Sequence, residues 1–116
     1  MVINACDVCA LRRFLKIMKL NVLLVEGNST LSNLQQILEK YYFVKTARTA
    51  EIGFQIILEN DIHAVVIDHE LFRGATGASF SLDMRHHLTR HIPVVLMSYF
   101  AEPLPHGANR FLKKPF

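Results

Sequence analysis

Four polar side chains in this sequence each follow directly after a short segment that we predict to be a strand. They are Glu26, Asp68, Ser98 and Lys114, which come after the runs NVLLV, HAVVI, VVLM and RFLK. A pair of carboxylates can hold a hard cation such as Mg²⁺, which keeps several waters and takes further ligands from phosphate. A hydroxyl and an ammonium can hold phosphoryl oxygens as negative charge develops on them. These residue types therefore indicate phosphoryl transfer to an aspartate, through a covalent acyl phosphate.

The apolar runs alternate with segments of helical pattern along the chain. We predict strands at Asn21–Val25, Tyr42–Thr46, Ile62–Ile67, Ile92–Met97 and Arg110–Lys113. We predict helices from Ser29 or Thr30 to about Lys40, from a Thr49 cap to near Asn60, and from the loop Phe72–Gly77 to about His91. Continuously apolar strands separated by single helices indicate βαβ units and a parallel sheet in an α/β domain. The carboxyl ends of such strands meet at one edge, where ligands bind.

The segments VLLVEGNST, VVIDHELF, PVVLMS and GANRFLKKPF resemble the receiver domain of two-component response regulators, including the single-domain chemotaxis regulators. The similarity spans residues 20–116, and the strand order with the closing Lys-Pro-Phe makes it specific. The resemblance implies a flavodoxin-like fold, a doubly wound parallel five-stranded sheet with the order 2-1-3-4-5. It also implies a module that takes a phosphoryl group from a histidine kinase or phosphotransfer protein and then switches its output surface.

The resemblance assigns roles to individual residues. Asp68 matches the phospho-acceptor, and Lys114 matches the lysine that contacts the phosphoryl group. Ser98 matches the switch hydroxyl that hydrogen-bonds the phosphoryl group, and Phe111 matches the aromatic switch residue. The Lys114–Pro115 peptide bond is expected to be cis, as it is in the family.

The same resemblance implies a Mg²⁺ site made of Glu26, Asp68 and the backbone carbonyl of Glu70. The family carries an acidic pair after its first strand, whereas Gly27 takes the second position in this chain. Losing one charged ligand predicts a Mg²⁺ affinity roughly 10–100-fold lower. Tyr99 is a further departure, because the family prefers a small residue there, and we expect its ring to narrow the entrance to Asp68.

The last part of the chain predicts a reduced architecture. Eight residues, including Pro103 and Pro105, separate Ser98 from Gly107, which is too short for an ordinary crossover helix of about 11 residues. We therefore expect the fourth helix to be reduced and, since the sequence ends at Phe116, the final helix to be absent. Without them, one sheet face would expose Val94 and Leu96 and would need a cover.

Residues 1–20 are predicted to be a basic amphipathic leader ahead of a receiver-like domain at 21–116. The leader holds four cations and one anion, so the formal charge of +3 lies entirely within it. Its apolar stripe could dock on the bared sheet face, in its own chain or in a homodimer. It could also be a loose terminus ahead of a start at Met18, or a basic helix lying on anionic lipid.

Composition excludes several classes of protein. The neutral body has no basic stripe, so we expect no nucleic-acid partner. There is no apolar run of 18 residues, so we expect no membrane span. Both cysteines, Cys6 and Cys9, lie in the leader, so a reducing cytoplasm is the expected compartment, and half a zinc site or a redox pair is a weaker hypothesis.

Two functions follow from these residues. In the first, Asp68 accepts a phosphoryl group, with Ser98 and Lys114 stabilising the product. In the second, the fold is a phosphorylation-independent pseudo-receiver that acts as a protein-binding or dimerisation module, as Gly27 and Tyr99 favour. In neither case do we expect an enzyme that turns over a separate substrate, although a receiver catalyses its own phosphorylation.

Overall fold

The computed structural model describes residues 20–27, 33–71 and 75–114. The elements are β1 (Asn21–Val25), α1 (Asn33–Glu39), β2 (Phe43–Ala47), α2 (Ala50–Glu59), β3 (Ala64–Asp68), α3 (Gly77–His87), β4 (Val94–Ser98) and β5 (Arg110–Lys113). The strands form one parallel sheet in the order β2-β1-β3-β4-β5, which confirms the predicted fold class and strand order. Residues 1–19 and the Lys114–Pro115 bond lie outside the described residues. No helix in the described ranges has the length and apolar character needed to cross a membrane.

The register of the sheet brings the polar strand ends to one level. Val25 of β1 lies opposite Ile67 of β3, so Glu26 follows at the level of Asp68. Asp68 in turn lies opposite Met97, one residue before Ser98. The alternation of strands and helices therefore places three of the four candidate residues along neighbouring central strands, as the sequence predicted.

The main core fills one face of the sheet, under α2 and α3. Its buried members come from the three central strands, both helices, the edge strand β2 and the residues just before β3 and β4: Leu23, Val25, Ala47, Ile57, Ile62, Val65, Ile67, Ala78, Phe80, Met84, Ile92, Val94 and Leu96. The rings of Phe54 on α2 and Phe80 on α3 meet edge to face, with centroids 6.0 Å apart. Burying such aliphatic and aromatic side chains is the dominant favourable term in folding, and in this fold it fixes the helices that lead into the site.

Element boundaries differ from the prediction by a few residues. β3 and β4 start two residues later than predicted, and Pro93, which has no N–H to donate, contributes only its carbonyl, to Val65. α3 ends at His87, so the prediction of a helix to His91 was wrong. Leu88 is extended (φ −95°, ψ 135°). Beyond it, Arg90 is held off the helix axis by hydrogen bonds to Asp61 and to the carbonyl of Ile62.

The connection between β4 and β5, residues 99–109, contains no helix, as predicted. The predicted exposure of Val94 and Leu96 was wrong, however, since both are 0% exposed. Both side chains belong to the core that α3 covers, and the end of the connection packs back onto that same helix. Arg85 of α3 makes this contact, donating to the carbonyl of Gly107 (3.0 Å) and to the side chain of Asn109 (2.7 Å).

Arg85 also donates to the carbonyl of Ile92 (2.9 Å). One guanidinium therefore joins α3 to the residues just before β4 and to those just before β5. Asn109 extends the network, because its Oδ1 accepts from the backbone N–H of Val94 (2.9 Å). Docking of the leader on the sheet concerns residues 1–19, which lie outside the described residues, and it stays a prediction. Dimerisation itself stays a prediction.

Replacing Arg85 with methionine is expected to lower the free energy of unfolding by about 2 kcal/mol, because three charge-assisted hydrogen bonds are lost while the aliphatic stem is kept. Chemical denaturation measures this. Arg110→Met is the matched control, since Arg110 is exposed and, within the described part of the chain, makes only a 3.4 Å contact with its neighbour's carbonyl. Equal losses from the two substitutions would contradict the role assigned to Arg85.

Candidate functional site

Asp68 ends β3 and is 5% exposed, so its carboxylate lies in a largely desolvated position. Its Oδ1 forms an ion pair with Nζ of Lys114. The backbone places this lysine, because the N–H of Lys114 donates to the carbonyl of Ser98 (2.7 Å) and extends the β4–β5 pairing by one residue. The pairing between strands therefore brings the acid and its counter-charge together.

Ser98 ends β4 and is fully buried. Its hydroxyl donates to Oε1 of Glu70 and accepts from the backbone N–H of Phe100 (3.0 Å). Glu70 is placed by an isolated antiparallel bridge with Thr76, just before α3. The side chain of Glu70, two residues beyond Asp68, thus reaches across to the neighbouring strand end.

Tyr99 follows Ser98, and its ring lies against the ammonium of Lys114, with Nζ 4.8 Å from the ring centroid. Tyr99 is 60% exposed. A cation on an aromatic face is stabilised by roughly 0.5–1 kcal/mol at exposed positions. Tyr99 is therefore at the site, as predicted, and it contacts the lysine that holds Asp68.

The first turn of α3 packs closely against the backbone of Asp68. Thr76 and Ser79 form a reciprocal capping box, with Ser79 N–H donating to Thr76 Oγ1 and Thr76 N–H donating to Ser79 Oγ, each at 3.1 Å. The N–H of Gly77 donates to the carbonyl of His69 (3.0 Å). A Cβ on Gly77 would lie 2.3 Å from the carbonyl oxygen of Asp68. Only glycine permits this approach of helix to strand.

The sequence matches no protein-family model and no curated protein. Solved structures, in contrast, match it over most of its length. A signal receiver domain of an HD domain-containing protein from Pseudomonas fluorescens Pf-5 superposes with a TM-score of 0.75 at 20% identity, covering 84% of this chain and 77% of that one. A CheY-like response regulator receiver domain protein from Methanospirillum hungatei JF-1 gives 0.73 at 24% identity, covering 84% and 83%.

A third similar structure is a response regulator protein from Thermotoga maritima in complex with Mg²⁺ and BeF. Its TM-score is 0.72 at 17% identity, and the match covers 84% of this chain and 88% of that one. This chain has the receiver-domain fold. The resemblance drawn from the sequence motifs is therefore confirmed at the level of the fold, since identities below 25% carry no more than that.

Within this receiver fold, the structure forms two side-chain pairs, Asp68 with Lys114 and Ser98 with Glu70. The backbone hydrogen bond from Lys114 to Ser98 joins the two pairs. Phe111 lies on β5 and packs against the core instead, opposite Leu96. Sequence reasoning missed the side chain of Glu70, for which it predicted only a carbonyl role. No periodic pattern in the sequence marks this contact, because it depends on how the loop after β3 folds.

The candidate Mg²⁺ ligands are the carboxylates of Glu26 and Asp68 and the carbonyl of Glu70. The described residues contain no group of three His, Cys, Asp or Glu side chains suited to a metal ion. Gly27 adds no carboxylate, and Lys114 already pairs with Asp68. Mg²⁺ needs about six oxygen ligands but keeps several waters. With so few candidate donors, a bound Mg²⁺ would take most of its ligands from water.

Burial raises the pKa of the Asp68 carboxyl above its usual 3.8. The hydrogen bond and positive charge of Lys114 lower it, while the negative charge of Glu70 raises it further, and the net pKa is raised. An ionised Asp68 is consequently less stable in the folded receiver than in the unfolded chain. Lys114 is the group that limits this penalty.

This raised pKa predicts a pH dependence of stability. As pH increases from 3.8 through the raised pKa, the unfolded chain releases the Asp68 proton first, so the free energy of unfolding falls. Asp68→Asn removes this contribution, and the variant should gain stability relative to the wild type as pH rises across that window. Urea denaturation in EDTA, repeated over roughly pH 4 to 8, measures the difference. A variant that instead loses stability relative to the wild type as pH rises would contradict a raised pKa at Asp68.

Proposed function

We propose that this chain is a receiver module of two-component signalling that accepts a phosphoryl group on Asp68. The observation that carries the proposal is the ion pair between Asp68 and Lys114 at the carboxyl edge of the sheet, next to the Ser98 hydroxyl. A nucleophilic carboxylate, a cation and a hydroxyl are the groups that phosphoryl transfer to an aspartate requires.

The reaction proposed is a displacement at phosphorus. A carboxylate oxygen of Asp68 attacks the phosphorus of a phosphohistidine, the P–O bond forms, and the P–N bond breaks. The imidazole of the donor leaves with the electron pair and takes a proton from solvent. Lys114 then faces both the acyl oxygen and the transferred group, while Ser98 can donate its proton to a phosphoryl oxygen.

A weakly held Mg²⁺, on Glu26, Asp68 and the Glu70 carbonyl, would supply charge neutralisation of the phosphoryl oxygens during transfer. The residues of this chain orient the acid and exclude water around it, since Asp68 and Ser98 are both buried. The partner implied is a histidine kinase or a phosphotransfer protein, because these present a phosphoryl group on imidazole nitrogen.

The proposal is tested by incubating the protein with acetyl phosphate and millimolar Mg²⁺ and measuring its intact mass. We expect the mass of one added phosphoryl group in the wild type and none in Asp68→Asn. Asp83→Asn is the matched control, since Asp83 is exposed on α3 and should leave the adduct unchanged. An adduct that survives in Asp68→Asn would refute the assignment of the acceptor.

A phosphorylation-independent pseudo-receiver is the second candidate function, in which the fold serves as a protein-binding or dimerisation module. Gly27, which removes an acidic donor, and the Tyr99 ring against Lys114 favour it. Absence of any adduct in the wild type, with both acetyl phosphate and beryllofluoride at millimolar Mg²⁺, would select this candidate over the first.

A further inference from the structure

The hydroxyl of Ser98 has a single proton, and the structure shows where that proton goes. It is donated to Oε1 of Glu70. One lone pair of the same oxygen accepts the N–H of Phe100 at 3.0 Å. With the donor engaged on one side and an acceptor position engaged on the other, the orientation of the hydroxyl is fixed toward Glu70.

A phosphoryl group on Asp68 would need the same proton. Phosphoryl oxygens are anionic acceptors, and they compete for a hydroxyl proton with any other anionic acceptor nearby. The Glu70 carboxylate is such an acceptor. Two features keep it in place: it lies only two residues beyond Asp68, and its backbone is bridged to Thr76. Glu70 as a residue is exposed, however, so its side chain has room to leave Ser98 for solvent.

We propose that Glu70 is a positioning residue whose carboxylate acts as an internal stand-in for a phosphoryl oxygen, holding the Ser98 hydroxyl until a phosphoryl group on Asp68 displaces it. This inference rests on the proposed function. It has two consequences. The Ser98 hydroxyl already donates to an anionic oxygen before phosphorylation. Phosphorylation is slower, because the phosphoryl group must first displace the Glu70 carboxylate.

Glu70→Ala tests the competition directly, because it removes the acceptor and keeps the backbone carbonyl of the candidate Mg²⁺ site. We expect acetyl phosphate to label Asp68 about fivefold faster, the factor equivalent to one net hydrogen bond. Glu70→Gln, which keeps a neutral acceptor, should give an intermediate rate. Glu59→Ala is the control, since Glu59 is exposed at the far end of α2.

Removing Glu70 also removes a negative charge near Asp68, which would speed attack by itself. A double-mutant cycle with Ser98→Ala separates the two effects. If Glu70 acts through the hydroxyl, the acceleration disappears in the Ser98→Ala background. An acceleration of the same size in both backgrounds would overturn the inference, because Glu70 would then act by its charge alone.

The amide of Phe100 gives a readout that does not depend on labelling. With Glu70→Ala, Ser98 loses its fixed orientation, so hydrogen exchange at the Phe100 N–H should become faster. Unchanged exchange would overturn the inference.

Equal labelling of wild type and Glu70→Ala overturns the inference alone, whereas no labelling of any variant overturns the proposed function and the inference with it. Labelling of Glu70→Ala but not of the wild type supports both.

Discussion

Replacing Gly77 with alanine is expected to lower the free energy of unfolding by about 3 kcal/mol or more, near the upper end of overpacking effects. The added Cβ would lie 2.3 Å from the carbonyl oxygen of Asp68 and 2.7 Å from a methyl carbon of Leu96. The methyl can rotate away, but the carbonyl belongs to the backbone of a central strand. The start of α3 and the end of β3 must therefore separate.

Thermal unfolding is the simplest measurement, with an expected fall in Tm of about 12 °C or more. Gly53→Ala is the matched control, because Gly53 is also a buried helical glycine. Its added Cβ would meet only side chains, the nearest a methyl of Val25 at 3.1 Å. Alanine is favoured over glycine in a helix by about 0.8–1 kcal/mol, which offsets that contact. Similar Tm values for the two variants would show that the close approach of Gly77 to the Asp68 carbonyl does not exclude a Cβ at this position.

Replacing Lys114 with methionine is expected to slow phosphoryl labelling of Asp68 by about 100-fold, the cost typical of losing one preorganised electrostatic donor. The substitution removes the counter-charge of a buried carboxylate and leaves Glu70 as an unopposed negative neighbour. Both effects raise the pKa of Asp68 further, so a smaller fraction is ionised, and the phosphoryl oxygens lose their cation.

Lys113→Met is the matched control for this prediction. Lys113 is the preceding residue, is exposed and carries the same charge, so long-range electrostatics are altered equally. Its labelling rate should stay within about twofold of the wild type, the range expected for a screened surface charge. A slow Lys113→Met would mean that general positive charge drives the reaction. A Lys114→Met that labels at the normal rate would mean that the ion pair with Asp68 does not drive it.

Most of the fold was predictable because the three central strands, β1, β3 and β4, are largely buried and therefore read as continuous apolar runs. The prediction that Thr49 caps the following helix is also confirmed, since the N–H of Ile52 donates to Thr49 Oγ1 at 3.2 Å. What the sequence could not show was the fate of Val94 and Leu96. Both belong to the core that α3 covers, and Arg85 ties that helix to partners 7 to 24 residues away along the chain.

The candidate site divides in the same way. The convergence of Asp68, Ser98 and Lys114 follows from strand ends, which any parallel sheet brings to one edge. The bond between Glu70 and Ser98 depends on how a loop folds after β3, and loop geometry has no periodic signature in the sequence. Gly77 is a second example. Glycine is required there because α3 packs against the end of β3, and the sequence alone does not show that contact.

The position of Lys114 at the site depends on how firmly β5 stays paired with β4. Among the described residues β5 pairs with β4 alone; it is four residues long, and three of its four residues are exposed. Short edge strands with exposed backbone hydrogen bonds open more readily than central strands. Amides of β5 should accordingly exchange with solvent deuterium sooner than those of β1 and β3. Because Lys114 is anchored through the same pairing, each opening takes the ammonium away from Asp68. The ion pair therefore cannot outlast the docked strand.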